Sequence, residues 1–391
     1  MKARFVDVVL PVPLDGAFTY TLPETWPAPA VGARVLAPWG RRKLVGVAVG
    51  TCDDLPPGLK PEQARPLEAV LDEQPIVAAP VLEMVRWAAA YYQAPVGEVM
   101  RCALPPGPAG KDGVRAPLPA RKFWHLRETE TAGDGRVTAA QTQVIASLRA
   151  AGGEMEVSEL ARAVSASALA TLARRGVIVR IEREAPPPAP AWAPRPRILS
   201  LNPPQQAALD AIFQPGPRTP LLLHGVTGSG KTAVYLAAIA AALERGEDTL
   251  VLVPEIGLTP ALFADFTDAF PGQVAVLHSG LSAGERAQHW ERLRRGDAHV
   301  AVGTRSAVFA PLARLGLILV DEEHDASFKQ QETPRYHARD LAVLRASLEK
   351  ARIVMGSATP SLESYAHARS GKYRLLEMRE RVEARPLPAM R

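Results

Sequence analysis

Two short stretches of this chain carry residues suited to phosphate chemistry. In "GVTGSGKT", Gly225, Gly228 and Gly230 clear space for backbone N–H groups to close around phosphate oxygens, with Val226, Thr227 and Ser229 between them. Lys231 then reaches the β- and γ-phosphates and Thr232 ligates Mg²⁺. Further along, "DEEH" offers paired carboxylates: Asp321 to hold Mg²⁺ through water, and Glu322 to orient and deprotonate an attacking water. The chemistry indicated is ATP hydrolysis.

Such groups must be held by rigid elements. "PLLLHG" reads as a buried strand entering the glycine loop, and the apolar pattern after Thr232 as a helix whose N-terminus faces the phosphates. "LGLILVDEEH" is a second buried strand, delivering its carboxylates at the C-terminal end, where ligands bind in an open parallel sheet. "TLVLVP", "VAVLHS", "HVAVGT" and "RIVMGSAT" continue the alternation of apolar strand and helix. Together they predict an α/β nucleotide-binding domain with a parallel sheet covered on both faces.

The rest of the chain divides at proline. Residues 1–105 hold short β-rich pieces followed by the helical stretch "APVLEMVRWAAAYYQAP", predicting a small β domain closed by a helix. "LPPGPAGKDGVRAPLPA" and "APPPAPAWAPRPR" read as linkers. Between them, over 121–184, three short amphipathic helices and a β-branched strand predict a winged helix, with a bland helical spacer as the other reading.

With 391 residues, 47% of them hydrophobic, the chain has room for two or three ordinary cores. Its 46 Lys and Arg against 41 Asp and Glu suit an anionic partner without demanding one. Cys52 and Cys102 are too few for a cysteine zinc site or a disulfide framework, which predicts a reduced, cytoplasmic setting. Asp7 and Pro11 interrupt the apolar start, and no run reaches the roughly 18 residues of a membrane span, so no membrane partner is expected.

"GVTGSGKT", "DEEH" and "GSATP" (residues 356–360), in this order, resemble motifs I, II and III of superfamily 2 helicases. "LNPPQ", "VPEIGLTP", "LHSGLSAGER", "GTRSAVFAP" and "DEEHDASFKQQETPRYHARDLAV" narrow the resemblance to the primosomal protein N′ family of replication-restart helicases. "LPVPL", "FTY" and "PWG" are similar to that family's DNA 3′-end-binding domain. The resemblance implies a RecA-like ATP-binding helicase lobe over 198–377 and a 3′-end-binding domain over 1–105. It also implies an ATP- and Mg²⁺-dependent 3′-to-5′ DNA helicase that recognises stalled or collapsed forks and initiates primosome assembly. Its implied partners are branched and single-stranded DNA, primosome proteins and single-stranded DNA-binding protein.

The same resemblance assigns roles to positions. Gln205 reads the adenine edge. Glu255, Thr259, Ser279, Gly280, Thr304 and Arg305 lie in segments lining the single-strand path, and Ser357 and Thr359 couple hydrolysis to movement. The span 328–340 resembles an aromatic-rich loop, in which Phe328, Tyr336 and His337 stack on bases while Lys329, Arg335 and Arg339 offer charge to the backbone. At the N-terminus, Phe18, Thr19, Gly40 and Arg65 correspond to positions that hold the terminal nucleotide. Thr19 is a departure, since many members carry Asp there.

Full-length members continue into a second helicase lobe with an arginine finger and a cysteine-rich zinc insertion. This sequence reaches "EARPLPAMR" with neither. The expectation is therefore an N-terminal portion of a longer enzyme, or a short derivative, with 378–391 beginning the missing part and zinc confined to that part. Such a chain binds nucleotide and DNA but unwinds little by itself. The alternative is a non-catalytic fork-binding scaffold whose P-loop acts as a nucleotide switch. A kinase or transport ATPase fits the P-loop alone and leaves "GTRS", "DEEH" and "GSATP" unexplained together.

Overall fold

A computed structural model describes residues 5–55, 57–60, 63–105, 120–127, 138–157, 160–161, 164–184, 200–255 and 260–382. At the N-terminus the alternation of apolar and polar residues produces strands β1 (Phe5–Val9), β2 (Phe18–Thr21), β3 (Arg34–Trp39), β4 (Arg42–Cys52) and β5 (Ala69–Val70). They form an antiparallel sheet in the order β2-β1-β4-β3-β5. Val6 and Val8 are fully buried among Leu10, Tyr20, Val35 and Ala37. Because side chains alternate across a strand, Asp7 points to the other face.

Two helices close this sheet, α1 (Ala79–Tyr91) and α2 (Val96–Ala103). Pro80 stands in the first turn of α1, where a missing N–H costs nothing. The approach of α2 to the chain leaving β1 requires glycine: a Cβ on Gly97 would fall 1.8 Å from the Leu10 carbonyl oxygen.

The segment Pro117–Ala189 is a separate compact unit. Its described elements are β6 (Ala120–Leu126), α3 (Ala139–Ala150), β7 (Glu154–Glu156), α4 (Ala166–Arg174) and β8 (Ile178–Glu184), with an antiparallel sheet in the order β7-β6-β8. Thr138 and Gln141 form a capping box at the start of α3, and Ser165 caps α4, so both helices start where side-chain oxygens meet otherwise unpaired N–H groups. Val144, Leu148, Leu160, Leu172 and Ile178 make the core. The sequence predicts a winged helix over 121–184. The two capped helices match two of its three helices, β6 and β7 are additional, and "VSELARAV" falls partly outside the described residues.

The remaining elements are α5 (Pro203–Phe213), β9 (Leu221–Gly225), α6 (Lys231–Glu244), β10 (Asp248–Leu252), α7 (Pro260–Ala269), β11 (Val274–Leu277), α8 (Ala283–Arg295), β12 (Val300–Gly303), β13 (Leu315–Val320), α9 (Ala338–Leu348), β14 (Arg352–Ser357), α10 (Leu362–Arg369) and β15 (Arg374–Met378). Their strands form one parallel sheet, β11-β12-β10-β13-β14-β9-β15. Every residue of β13 is buried, as a strand covered on both faces demands.

The segments 1–105 and 198–377, expected as two domains, pack together: Met1–Ala116 and Pro190–Arg391 form one compact unit. One apolar core runs from Val81, Met84 and Val85 of α1 to Leu341 and Ala342 of α9 and Ile318 of β13. At its edge the Tyr92 hydroxyl donates to Asp340 (3.4 Å) and the Lys329 ammonium lies 4.9 Å from the Tyr92 ring centre.

Replacing Gly97 by Ala weighs two opposed effects. Helix propensity favours Ala by about 1 kcal/mol, while forcing a methyl against backbone costs about 1–3 kcal/mol. Since the obstructing atom is a carbonyl oxygen, the steric term is expected to win. Gly97→Ala should lower the unfolding temperature of the unit by several degrees, read by differential scanning calorimetry.

Candidate nucleotide-binding site

The order β13-β14-β9 sets three C-terminal strand ends side by side, and each carries one of the motifs. β9 runs into residues 225–232, β13 into Asp321–His324, and β14 ends at Ser357 before Thr359. Gly228 and Gly230 both have φ of +82°, the left-handed conformation that lets the loop curl back on itself. Gly230 is the N-cap residue of α6, so Lys231 and Thr232 open the helix at its positive end.

Lys231 Nζ donates to the Gly225 carbonyl (3.0 Å) and lies 3.5 Å from Glu322 Oε1, with only 10% of its side chain exposed. Ser357, fully buried, donates from Oγ to Glu322 Oε2 (3.5 Å) and receives the Thr359 N–H (2.9 Å). His324 stands beside this group, with Nδ1 at 2.7 Å from Ser357 Oγ and Nε2 at 3.5 Å from Thr359 Oγ1. Of the two residues expected to couple hydrolysis to movement, Ser357 touches this carboxylate directly and Thr359 reaches it only through Ser357 and His324.

Asp321 is secured by a residue outside both motifs. Tyr235, one helical turn after Lys231 and 1% exposed, donates its hydroxyl to Asp321 Oδ1 (3.1 Å). Its phenol pKa lies well above the ordinary value through burial and through Asp321, so it remains a donor. Gly356 makes the approach possible, because a Cβ there would fall 1.7 Å from the Tyr235 hydroxyl. Spacing of Tyr235 from Lys231 at i+4 was the available signal.

Burial, and then the Glu322 carboxylate, raise the pKa of Asp321. A divalent cation would relieve both effects, which fits the expected Mg²⁺. One carboxylate and the Thr232 hydroxyl are a partial ligand set, as is usual for Mg²⁺ held jointly with substrate phosphates. Among the described residues no group of three or more His, Cys, Asp and Glu is disposed to hold a metal alone. Glycine also lets the loop pack this closely, since Cβ atoms at Gly225 and Gly230 would fall 2.6 Å from Ser229 Oγ and 2.3 Å from Gln205 Nε2.

Several expected contacts are placed differently. Gln205 is 4% exposed, and its amide is used at both ends: Oε1 accepts the Asn202 N–H (3.0 Å) in a capping box, and Nε2 donates to the Ser229 carbonyl (3.1 Å). In this structure it braces the glycine loop and does not present a free edge to adenine. Phe328 is fully buried and Tyr336 is 2% exposed, stacked edge-on against Phe309 at 5.3 Å. Both are core residues here, since burying an aromatic ring removes more apolar area than any other choice in the loop. His337 lies beside them, its pKa lowered by burial.

The loop's cations are partly engaged within the protein. Lys329 donates to the Arg335 carbonyl (2.6 Å), while the Arg335 side chain is exposed. Arg339 Nη1 pairs with Glu323 (3.0 Å). Arg305 bonds Glu255 (3.4 Å) and the Ser327 carbonyl (3.3 Å), tying three loops beside the buried Thr304. Ser279 and Gly280 are exposed at the end of β11, and Thr259 lies outside the described residues.

On the N-terminal sheet, Phe18 packs edge-on against Trp39 (4.8 Å), and Arg65 Nη1 donates to the Gly40 carbonyl (2.9 Å). These residues share one neighbourhood. Thr19 does not join them, for the register pairs it with Asp7, whose Oδ1 accepts its hydroxyl at 2.7 Å on the opposite face.

A glycine loop, an acidic strand end and a Gly-Ser-Ala-Thr turn on neighbouring parallel strands define the ATP-binding lobe of a helicase, and residues 202–368 match the family model of the DEAD/DEAH box helicases. Residues 7–105 match that of the 3′DNA-binding domain of PriA. The replication restart protein PriA of Synechocystis sp. is 35% identical across 96% of this chain and 54% of its own length. That of Haemophilus influenzae is 35% identical across 97% and 52%. The chain belongs to the PriA family and spans about half the length of these curated relatives. A structure of RecG bound to a three-way DNA junction aligns with 48% of this chain and 25% of its own, at 25% identity and a TM-score of 0.37. No helix among the described residues is long and apolar enough to cross a membrane.

The Tyr235–Asp321 bond generates a test. A hydrogen bond to a charged group contributes about 1.5–3 kcal/mol, and Asp321 is the expected cation ligand. Tyr235→Phe should weaken Mg²⁺-dependent binding of a fluorescent ATP analogue by roughly tenfold or more and leave Mg²⁺-free binding within about twofold. Gly356→Ala should destabilise the protein more in the presence of the hydroxyl than in the Tyr235→Phe background, by thermal melts of the four proteins.

Proposed function

We propose that this chain provides the ATP-binding lobe and the DNA-binding modules of an ATP-dependent 3′-to-5′ DNA helicase. In this reading it recognises stalled or collapsed replication forks and initiates primosome assembly. The observation that carries the reading is the shared contact at Glu322, whose carboxylate meets Lys231 of the phosphate loop on one side and Ser357 on the other. The match of residues 7–105 to a 3′DNA-binding domain supplies the fork-recognition half.

The chemistry assigned to each residue follows from its position. Backbone N–H groups of Thr227, Gly228, Gly230 and Lys231 and the Lys231 ammonium hold the phosphates, while the N–H groups of Val226 and Ser229 bond the Met378 and Val226 carbonyls. Thr232 and Asp321 hold Mg²⁺, which when bound neutralises phosphate charge. Glu322 accepts a proton from the attacking water, at a carboxylate already aimed by Lys231 and Ser357. His324, Ser357 and Thr359 form the chain of hydrogen bonds through which a change at Glu322 would be felt at the end of β14. Arg305 and Arg335 offer charge to single-stranded DNA. At the other site, Phe18 stacks on a terminal base, while Gly40 and Arg65 meet its sugar and phosphate. Primosome proteins and single-stranded DNA-binding protein are the proposed protein partners.

Lys231→Ala removes a charge-assisted contact to phosphate and leaves the N-terminal sheet untouched. ATP hydrolysis by a complete version of the protein should be abolished, with fork binding within about twofold of wild type. Glu322→Gln should retain ATP and lose turnover, measured by filter binding beside phosphate release. Unaltered hydrolysis in Lys231→Ala would remove the nucleotide-site assignment.

Stacking contributes about 1–3 kcal/mol per base, whereas ordinary phosphate binding has no preference for chain ends. Wild type is therefore expected to favour forks with a free 3′-OH at the junction over forks bearing a 3′ phosphate or lacking the strand. Phe18→Ala should bind all three alike, by fluorescence anisotropy at physiological salt. Equal binding by wild type would mean that Thr19, turned toward Asp7, marks a loss of 3′-end recognition.

A further inference from the structure

Glu322 occupies a backbone conformation that needs support. Its φ is +44°, in the left-handed region that residues with a Cβ enter only at an energetic cost, and such strain persists where neighbouring structure over-determines it. On one side the Asp321 N–H donates to the Leu252 carbonyl (2.9 Å). On the other stands Glu323, fully buried, whose N–H donates to the Gly356 carbonyl (3.0 Å).

The Glu323 carboxylate is anchored far more heavily than its neighbours. Oε1 accepts the Ser361 N–H (2.7 Å). Oε2 accepts Arg339 Nη1 (3.0 Å), Ser361 Oγ (3.0 Å) and Ser364 Oγ (2.8 Å). Arg339 Nη1 reaches Ser361 Oγ as well (2.8 Å), so the guanidinium closes the network from the first turn of α9. A buried charge with four donors has no alternative site of comparable quality, and turning it out of this pocket would leave Arg339 without its buried partner.

We infer that Glu323 is a positioning residue for Glu322. With the side chain of residue 323 pinned to α9 and α10 and its N–H pinned to β14, the peptide joining 322 and 323 has a fixed orientation. Glu322 then cannot relax to negative φ, and its carboxylate stays 3.5 Å from Lys231 and 3.5 Å from Ser357. Without the anchor, the turn relaxes and the carboxylate leaves the phosphate loop. This inference rests on the nucleotide site proposed above.

The test compares Mg·ATP and Mg·ADP dissociation constants of the full chain as wild type, Glu322→Gln, Glu323→Gln and the double variant. Glu322→Gln removes a negative charge beside the lysine that meets the γ-phosphate, and should tighten ATP about three- to tenfold with ADP changed less than about twofold. A misplaced carboxylate is equivalent to an absent one, so Glu323→Gln should reproduce this ATP-specific change. The double variant should then show no more than either single. Effects that multiply in the double variant, or that change ATP and ADP equally, would overturn the inference and leave Glu323 as a packing residue. If Glu323→Gln does not fold, Arg339→Lys, which keeps the charge and loses the fork, and Ser364→Ala, which removes one donor, are judged by the same criterion. Absence of any Mg·ATP binding by wild type would overturn the nucleotide site itself, and this inference with it.

Discussion

Three consecutive carboxylates follow a fully buried strand and leave water to different degrees, from Glu323, fully buried, to Glu322, with 36% of its side chain exposed. Burying an uncompensated carboxylate is costly, so the deeper ones need donors or a cation of their own. β13 can carry them only because its neighbours supply three separate solutions. Asp321 takes the Tyr235 hydroxyl from α6, Glu322 takes Lys231 and Ser357, and Glu323 takes Arg339 with two serines of the α10 turn. The parallel order β13-β14-β9 is what places those donors within reach.

The consequence is that the glycine loop, the acidic strand end and the Gly-Ser-Ala-Thr turn form one bonded unit. Gln205 extends it, bracing the loop from the start of α5. Gly356 extends it in another way, since only a residue without Cβ lets Tyr235 cross to Asp321. A displacement of any member changes the charge environment of the others, which is the physical basis for the proposed coupling between nucleotide chemistry and the surrounding loops.

A second dependence links the N-terminal helices to the same lobe. α1 buries its apolar stripe against α9, and Tyr92 meets both Lys329 and Asp340, so the loop between β13 and α9 is packed from below by the N-terminal region. That packing also accounts for the burial of Phe328 and Tyr336. They lie in the core shared with α1 and α2, where their rings gain more than they would on the surface.

Local pattern alone was sufficient for much of this. A parallel α/β sheet, the glycine loop before a helix, and carboxylates after an unbroken apolar strand are all properties of contiguous residues, because strand burial and helix-end phosphate binding are set by neighbours in sequence. The small β domain was legible for the same reason, from alternation and turn residues. What contiguous residues cannot specify is which distant side chain satisfies a buried polar group. The sequence leaves Gln205 free to read a base, whereas in the fold Asn202 and Ser229 engage its amide; it groups Thr19 with Phe18, whereas the strand register turns Thr19 toward Asp7. In the sequence Glu323 is one more charge in a charged run. Only the folding of β14, α9 and α10 around it decided that this carboxylate belongs inside, because a buried charge is stable only where tertiary structure brings donors from several segments to the same point.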